Sequence, residues 1–247
     1  MADDTLPTPP WRTPAKARSV KPMLSQDGIV DVALRIVATD GVEGVSMRRV
    51  AQEFGTGPSS LYAHVANKEE LLALMLDRVA GGITLPEPDP ARWKEQLREL
   101  CFQIFHTLRR YNDLAGAALA NIPTGAGSMR VADRMMAVLI AGGLPPRVAA
   151  WALDRLFLYV NADVYEGSIF MNRVRRAATT PEQFAEEFFG QLHDYMGSLP
   201  ADRFPTLVAH ADAMTEGDGD TRFAFGLDLI LDGLDRHVGA PGGSADG

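Results

Sequence analysis

The sequence has a single cysteine, Cys101, in 247 residues. No intrachain disulfide can form, and a thiol set among Leu100, Phe102 and Phe105 reads as a buried core residue. No apolar run approaches the roughly 18 residues of a membrane-spanning helix. The N-terminal stretch is polar and proline-containing, without the apolar segment of a secretory signal. A soluble, cytoplasmic protein with no membrane partner is the expectation. Histidine is scarce: His64, His106, His193, His210 and His237 stand far apart, at no metal-ligand spacing. There is no glycine-rich phosphate loop and no nucleophile elbow. Cys101 and His106 are five positions apart, a poor spacing for one helix face. An enzyme is therefore not expected, and neither a metal nor a cofactor is implied.

Positive charge is also short, with a formal net charge of −8. This argues against a broadly nucleic-acid-binding surface. The deficit is uneven. Residues 1–72 carry 8 basic and 9 acidic side chains, while the remainder carries a net −7. Four basic residues and no acid fall between Trp11 and Lys21. Because salt confines charge effects to about 10 Å, an acidic chain can still bind DNA through a locally basic face.

The length suits a small N-terminal domain followed by a larger one. Residues 1–22 hold five prolines and little apolar content, the signature of a disordered arm. Residues 239–247 are rich in Gly and Ala and read as a flexible tail. Between them the apolar spacing is helical almost throughout, so the expected fold is all-α. A first helix starts behind Ser25 and stops at Gly41. Ser46 caps a second at 47–54, Thr56 a third reaching about His64, and Asn67 a fourth. Further helices are expected at about 91–111, 112–121, up to about 141, 146–166, 182–197, 206–215 and 221–238, with a loop at about 172–181.

Two short helices joined by the Gly55-Thr56-Gly57 turn have the skeleton of a helix-turn-helix. The second is short and carries Ser59 and Ser60 near its start, small enough for backbone to approach a phosphate. Tyr62 and His64 follow on a surface that need not be buried. Lys68 opens the next helix within reach of a phosphate, and Arg48 lies on the preceding helix, which crosses the DNA backbone in such motifs. Arg49 reads better as a salt-bridged surface residue, and Leu61 and Val65 as core. The basic segment at 12–21 is either a solubilising tail or an arm that adds phosphate contacts.

The segment LRIVATDGVEGVSMRRVAQEFGTGPSSLYAHVANKEELLALML, residues 34–76, resembles the DNA-binding domain of the tetracycline-repressor (TetR) family. The resemblance extends over residues 25–76 and continues more weakly through Trp93, the 121–124 loop, the Gly142-Gly143 turn and FAFGLDLILDGL at 223–234. It implies a homodimeric regulator, most simply a repressor, of double-stranded operator DNA. The domains would be a helix-turn-helix at 23–72 and an effector-binding and dimerisation domain at 73–238. By resemblance Ser46, Arg48, Ser59, Ser60, Tyr62, His64 and Lys68 contact DNA, mostly at phosphates. Base reading would fall to Thr56, Pro58, Ser59, Ser60, Ala63 and His64, a set poor in the side chains that read bases bidentately.

The same resemblance implies a pocket lined by Leu100, Ile104, Ala118, Met135 and Glu166. Tetracycline repressors hold a metal through a histidine where this chain has Ala118, and residues 111–123 contain no histidine. A magnesium–tetracycline effector is therefore not expected; apolar replacements point to a more hydrophobic small molecule. Trp151, Phe157, Tyr159, Asp163 and Tyr165 are candidate walls and anchors, although ordinary packing is the better reading of each. Asp163 needs a partner if buried, with Arg155 or a residue across a dimer as candidates. Two segments could pair the chains, 146–166 and the last helix, where Phe223, Phe225, Leu227, Ile230, Leu231 and Leu234 give more apolar surface than one inward stripe requires. The fourth helix joins the domains and is the expected lever between effector and DNA. A DNA-binding regulator without an effector, an activator, and a helical protein-interaction module remain as alternatives.

Overall fold

A computed structural model of the chain describes residues 24–111, 113–120 and 123–239, and every regular element among them is helical. The arm at 1–22, the tail beyond Gly239 and part of the 121–124 loop lie outside the described residues.

The N-terminal helices follow their caps. α1 (Gln26–Asp40) begins where the Ser25 hydroxyl accepts from the Gly28 N–H at 3.1 Å. It ends at Gly41, whose φ of +75° suits glycine. After a 3-10 turn, α2 (Met47–Glu53) starts at Ser46, whose hydroxyl accepts from Arg49 N–H. α3 (Pro58–Leu61) is shorter than expected, and its N-cap is Gly57, not Thr56. The Thr56 hydroxyl instead shares a 2.8 Å hydrogen bond with that of Ser60. α4 (Lys68–Gly81) starts at Asn67, which accepts from Glu70 N–H at 2.7 Å. Ile29, Val37, Val50, Leu61, Leu71 and Met75 are sealed in one core beneath these helices. Arg78 on α4 pairs with Asp27 and Asp31 on α1, which fastens the long helix to the first.

The larger part comprises α5 (Trp93–Arg109), α6 (Leu114–Ala120), α7 (Ala126–Ala141), α8 (Pro146–Ala177), α9 (Pro181–Gly197), α10 (Pro205–Ala209), α11 (Ala211–Thr215) and α12 (Gly219–Leu234). α4 crosses into this layer and packs on α5, α6 and α7. The α4–α7 crossing is close because Gly127 is buried there: a methyl at that position would overlap the backbone carbonyl oxygen of Asp77. The Asp77 carboxylate also accepts from Ser128 N–H at 2.9 Å, near the start of α7.

Two expected boundaries move. α8 runs to Ala177, so the loop expected at about 172–181 shrinks to the residues before Pro181. The helix expected at 206–215 is broken at His210 into α10 and α11. At 32 residues, α8 is about 48 Å long and organises the domain. One stripe (Ala149, Ala152, Leu156, Val160, Val164) enters the core. A second (Trp151, Leu158, Tyr165, Ile169) is exposed. α12 is held to α5 and α8 by Phe223, whose ring stacks on Phe105 at 4.0 Å and on Tyr159 at 5.3 Å and meets Phe102 edge-on. Cys101 is fully buried near this cluster, and desolvation pushes its thiol up to about 12.

Candidate DNA interface and effector cavity

The helix-turn-helix turns at Gly55, φ +68°, a conformation that a side chain would strain. Leu61 and Val65 anchor the second helix inward, which directs the neighbouring positions outward. Ser46, Arg48, Ser59 and Tyr62 are exposed on this face, and Tyr62 is 54% exposed. Arg48 makes no ion pair among the described residues and keeps its charge available, whereas Arg49 pairs with Asp40. Thr56, Pro58, Ser60 and His64 are half-buried along the same edge. The backbone carbonyl of His64 accepts from the Gln26 side chain, tying the end of the motif to α1. Lys68 is placed differently from a free phosphate contact. Its ammonium donates to the Val42 carbonyl at 3.1 Å, bracing the 3-10 turn.

A cavity of about 520 Å³ lies between α4, α5, α6, α7 and α8. Its walls are mostly apolar: Leu76, Val79 and Ile83 from α4 and its end, Ile104 and Leu108, Ala118 and Leu119, Met129 and Met135, and Leu153 and Phe157. Thr107, Ser128, Asp154 and Asn161 supply the polar atoms. Of the pocket residues expected from sequence, Ile104, Ala118, Met135 and Phe157 line this cavity and the others do not. Leu100 is buried in the core beside it. Trp151 stands 63% exposed on the outer stripe of α8, beneath the Arg147 guanidinium. Tyr159 is committed to α12, donating to the Phe223 carbonyl at 2.8 Å. Glu166 is exposed.

Asp163 is half-buried on the side of α8 that faces α5 and α12. Burial and the nearby Glu166 push its carboxyl up to about 6, with Arg109 opposing. Its cationic neighbour is thus Arg109, because Arg155 pairs with Asp154. Among the described residues no group of three or more His, Cys, Asp or Glu could hold a metal ion. No helix among the described residues is long and apolar enough to cross a membrane.

The expected pairing residues also divide. Phe223, Leu227 and Leu231 are the inward stripe of α12 and are spent on the chain's own core; Ile230 and Leu234 are half-buried. The apolar residues of α12 that face outward are Phe225, 68% exposed, and Leu229, 60% exposed. They join Trp151, Leu158 and Tyr165 as the unpaired apolar surface of α8 and α12. Sequence reasoning also missed Asp113. Its carboxylate accepts from Val42 N–H at 2.7 Å, linking the segment before α6 to the 3-10 turn ahead of the helix-turn-helix.

Residues 29–75 match the model of the bacterial regulatory proteins of the tetR family, and residues 85–238 match that of the tetracyclin repressor-like C-terminal domain. The chain belongs to the TetR family. Among TetR relatives it is 31% identical over 234 residues to the HTH-type transcriptional repressor DrrR1 of Streptomyces coeruleorubidus, covering 92% of this chain and 84% of that protein. It is 24% identical over 221 residues to the class D tetracycline repressor protein of Escherichia coli, covering 88% and 92%. The solved structure of the TetR family protein ActR of Streptomyces coelicolor in complex with actinorhodin is similar at a TM-score of 0.78 and 41% identity, over 87% of this chain and 98% of that one. As a TetR-family protein the chain is a DNA-binding regulator of transcription with an N-terminal helix-turn-helix domain and a helical C-terminal domain, and is not an enzyme.

Proposed function

We propose that the chain is a homodimeric repressor that leaves its operator when a largely apolar small molecule fills the cavity. The observation that carries this reading is the double use of α4. Its N-terminal end is tied to the helix-turn-helix by Lys68 and the buried Leu71, while toward its other end Leu76 and Val79 form a wall of the cavity, with Arg78 between them paired to Asp27 and Asp31 of α1. A ligand that fits only when α4 is displaced must favour the displaced state, and operator DNA must oppose it by the same factor. Pairing through Phe225, Leu229, Trp151, Leu158 and Tyr165 sets two recognition helices at the spacing of successive major grooves, about 34 Å apart. Ser46, Arg48, Thr56, Pro58, Ser59, Ser60, Tyr62 and His64 form the DNA face, with Lys68 supporting it from behind. The ActR complexes with actinorhodin and (S)-DNPA support a small-molecule effector for a chain this similar.

The test is fluorescence anisotropy of the purified protein against labelled fragments flanking its own gene, with a Tyr62→Ala/His64→Ala double variant as control. Saturable, salt-sensitive binding that the control loses is expected, and actinorhodin is the first compound to add as a release agent. Operator affinity that no cavity-binding compound changes would leave a regulator without an effector.

A further inference from the structure

One polar group in the cavity stands apart. Asn161 sits on the cavity stripe of α8, with Phe157 one turn before it, and is only 3% exposed. Its amide nitrogen donates to the Phe157 carbonyl at 2.9 Å, which fixes the orientation of the amide, since the flipped form would set two oxygens against each other. Among the described residues its amide oxygen has no hydrogen-bond partner, yet no fully enclosed side-chain atom is left unpaired. The oxygen therefore keeps its small accessible surface, and the space that Asn161 borders is the cavity. A buried carbonyl facing an apolar space is costly unless something donates to it. The hydroxyls of Thr107 and Ser128 border the same space without side-chain partners among the described residues and can turn to serve either role. Asp154, the one ionisable cavity residue, is already paired with Arg155.

Resting on the reading of the cavity as the effector site, we infer that Asn161 is its specificity residue and selects ligands carrying a hydrogen-bond donor, a hydroxyl or N–H, on an otherwise apolar ring system. A free acceptor rewards a donor and rejects an ether or a bare hydrocarbon edge at the same place. The volume of about 520 Å³ accommodates a multi-ring molecule.

The test uses a matched pair of fluorescent probes, 1-hydroxypyrene and 1-methoxypyrene, titrated into the purified full-length protein, its Asn161→Leu variant and an Ala132→Phe variant that fills the cavity. The wild type is expected to bind the hydroxyl probe roughly 10-fold more tightly than the ether. Asn161→Leu is expected to remove that preference while still binding both probes, and Ala132→Phe to exclude both. Equal binding of the pair by the wild type, which needs no variant to fold, overturns the inference, as does a preference that survives Asn161→Leu. Binding absent from the wild type, or untouched by Ala132→Phe, overturns the cavity reading itself and the inference with it.

Discussion

Replacing Gly127 with alanine puts a methyl group into the α4–α7 crossing. The added carbon overlaps the Asp77 carbonyl oxygen and stands 2.9 Å from the nitrogen and 3.1 Å from the Cα of Gly81. All three neighbours are backbone, so no rotamer change relieves them. The helices must separate by at least about 0.5 Å for the contact with the Gly81 nitrogen to reach an ordinary 3.4 Å. Overpacking of this kind costs about 1–3 kcal/mol. Alanine's better helix propensity offsets under about 1 kcal/mol of that. The net loss, about 0.5–2 kcal/mol, should lower the melting temperature by a few degrees, at about 2–4 °C per kcal/mol for a chain of this size. Gly190→Ala in α9 is the matched control, because a methyl there meets nothing within 4 Å. It keeps the propensity gain without the overlap and should raise the melting temperature. Because α4 carries the helix-turn-helix, Gly127→Ala should also weaken operator binding, and Gly190→Ala should not. Scanning calorimetry and anisotropy on both variants give the answer. A Gly127→Ala protein as stable as Gly190→Ala, with wild-type operator affinity, would refute the close-crossing argument.

Asp113→Ala removes the 2.7 Å bond to Val42 N–H, a charge-assisted contact worth about 1.5–3 kcal/mol; faster amide exchange across 42–46 and weaker operator binding are expected, and unchanged exchange would argue against a link. Asp163→Asn tests the carboxyl at about 6. A raised folded pKa means that the contribution is intact below the ordinary carboxylate value and is lost as pH rises through about 6. The variant should therefore melt higher than wild type at pH 7.5 and lose that advantage at pH 4. Leu229→Glu, on the exposed face of α12, should yield a monomer by analytical ultracentrifugation, while Ile230→Val should leave the association state unchanged.

The ends of the early helices were legible because each is marked by a short polar side chain that completes a backbone bond: Ser25, Ser46 and Asn67 all do so. The end of α8 carries no such mark. Ala178 takes the left-handed C-cap conformation, φ +50°, without being glycine, and the polar run Asn172, Arg173, Arg175, Arg176 before it looked like loop. The break at His210 likewise has neither glycine nor proline to announce it. Composition could not tell which side of α12 was spent on the chain's own core. Phe223, Leu227 and Leu231 and the pair Phe225 and Leu229 differ in facing, and facing depends on where Phe102, Phe105 and Tyr159 sit. Asp163 drew attention as the charge in an apolar segment. Asn161, two residues earlier, points to a different side of the same helix, and only the packing of α8 separates the two.

The buried, protonated state of Cys101 has a practical consequence. Thiol reagents are attacked by the nucleophilic thiolate, and a sulfhydryl held at about 12 inside the core offers almost none. The native chain is thus a chemical blank, and no background cysteine has to be removed before labelling. A nitroxide on Glu69→Cys, exposed on the first turn of α4, would be the sole tag per chain. In the homodimer proposed above, the two tags would act as a molecular ruler, reporting the separation of the DNA-binding domains with and without ligand.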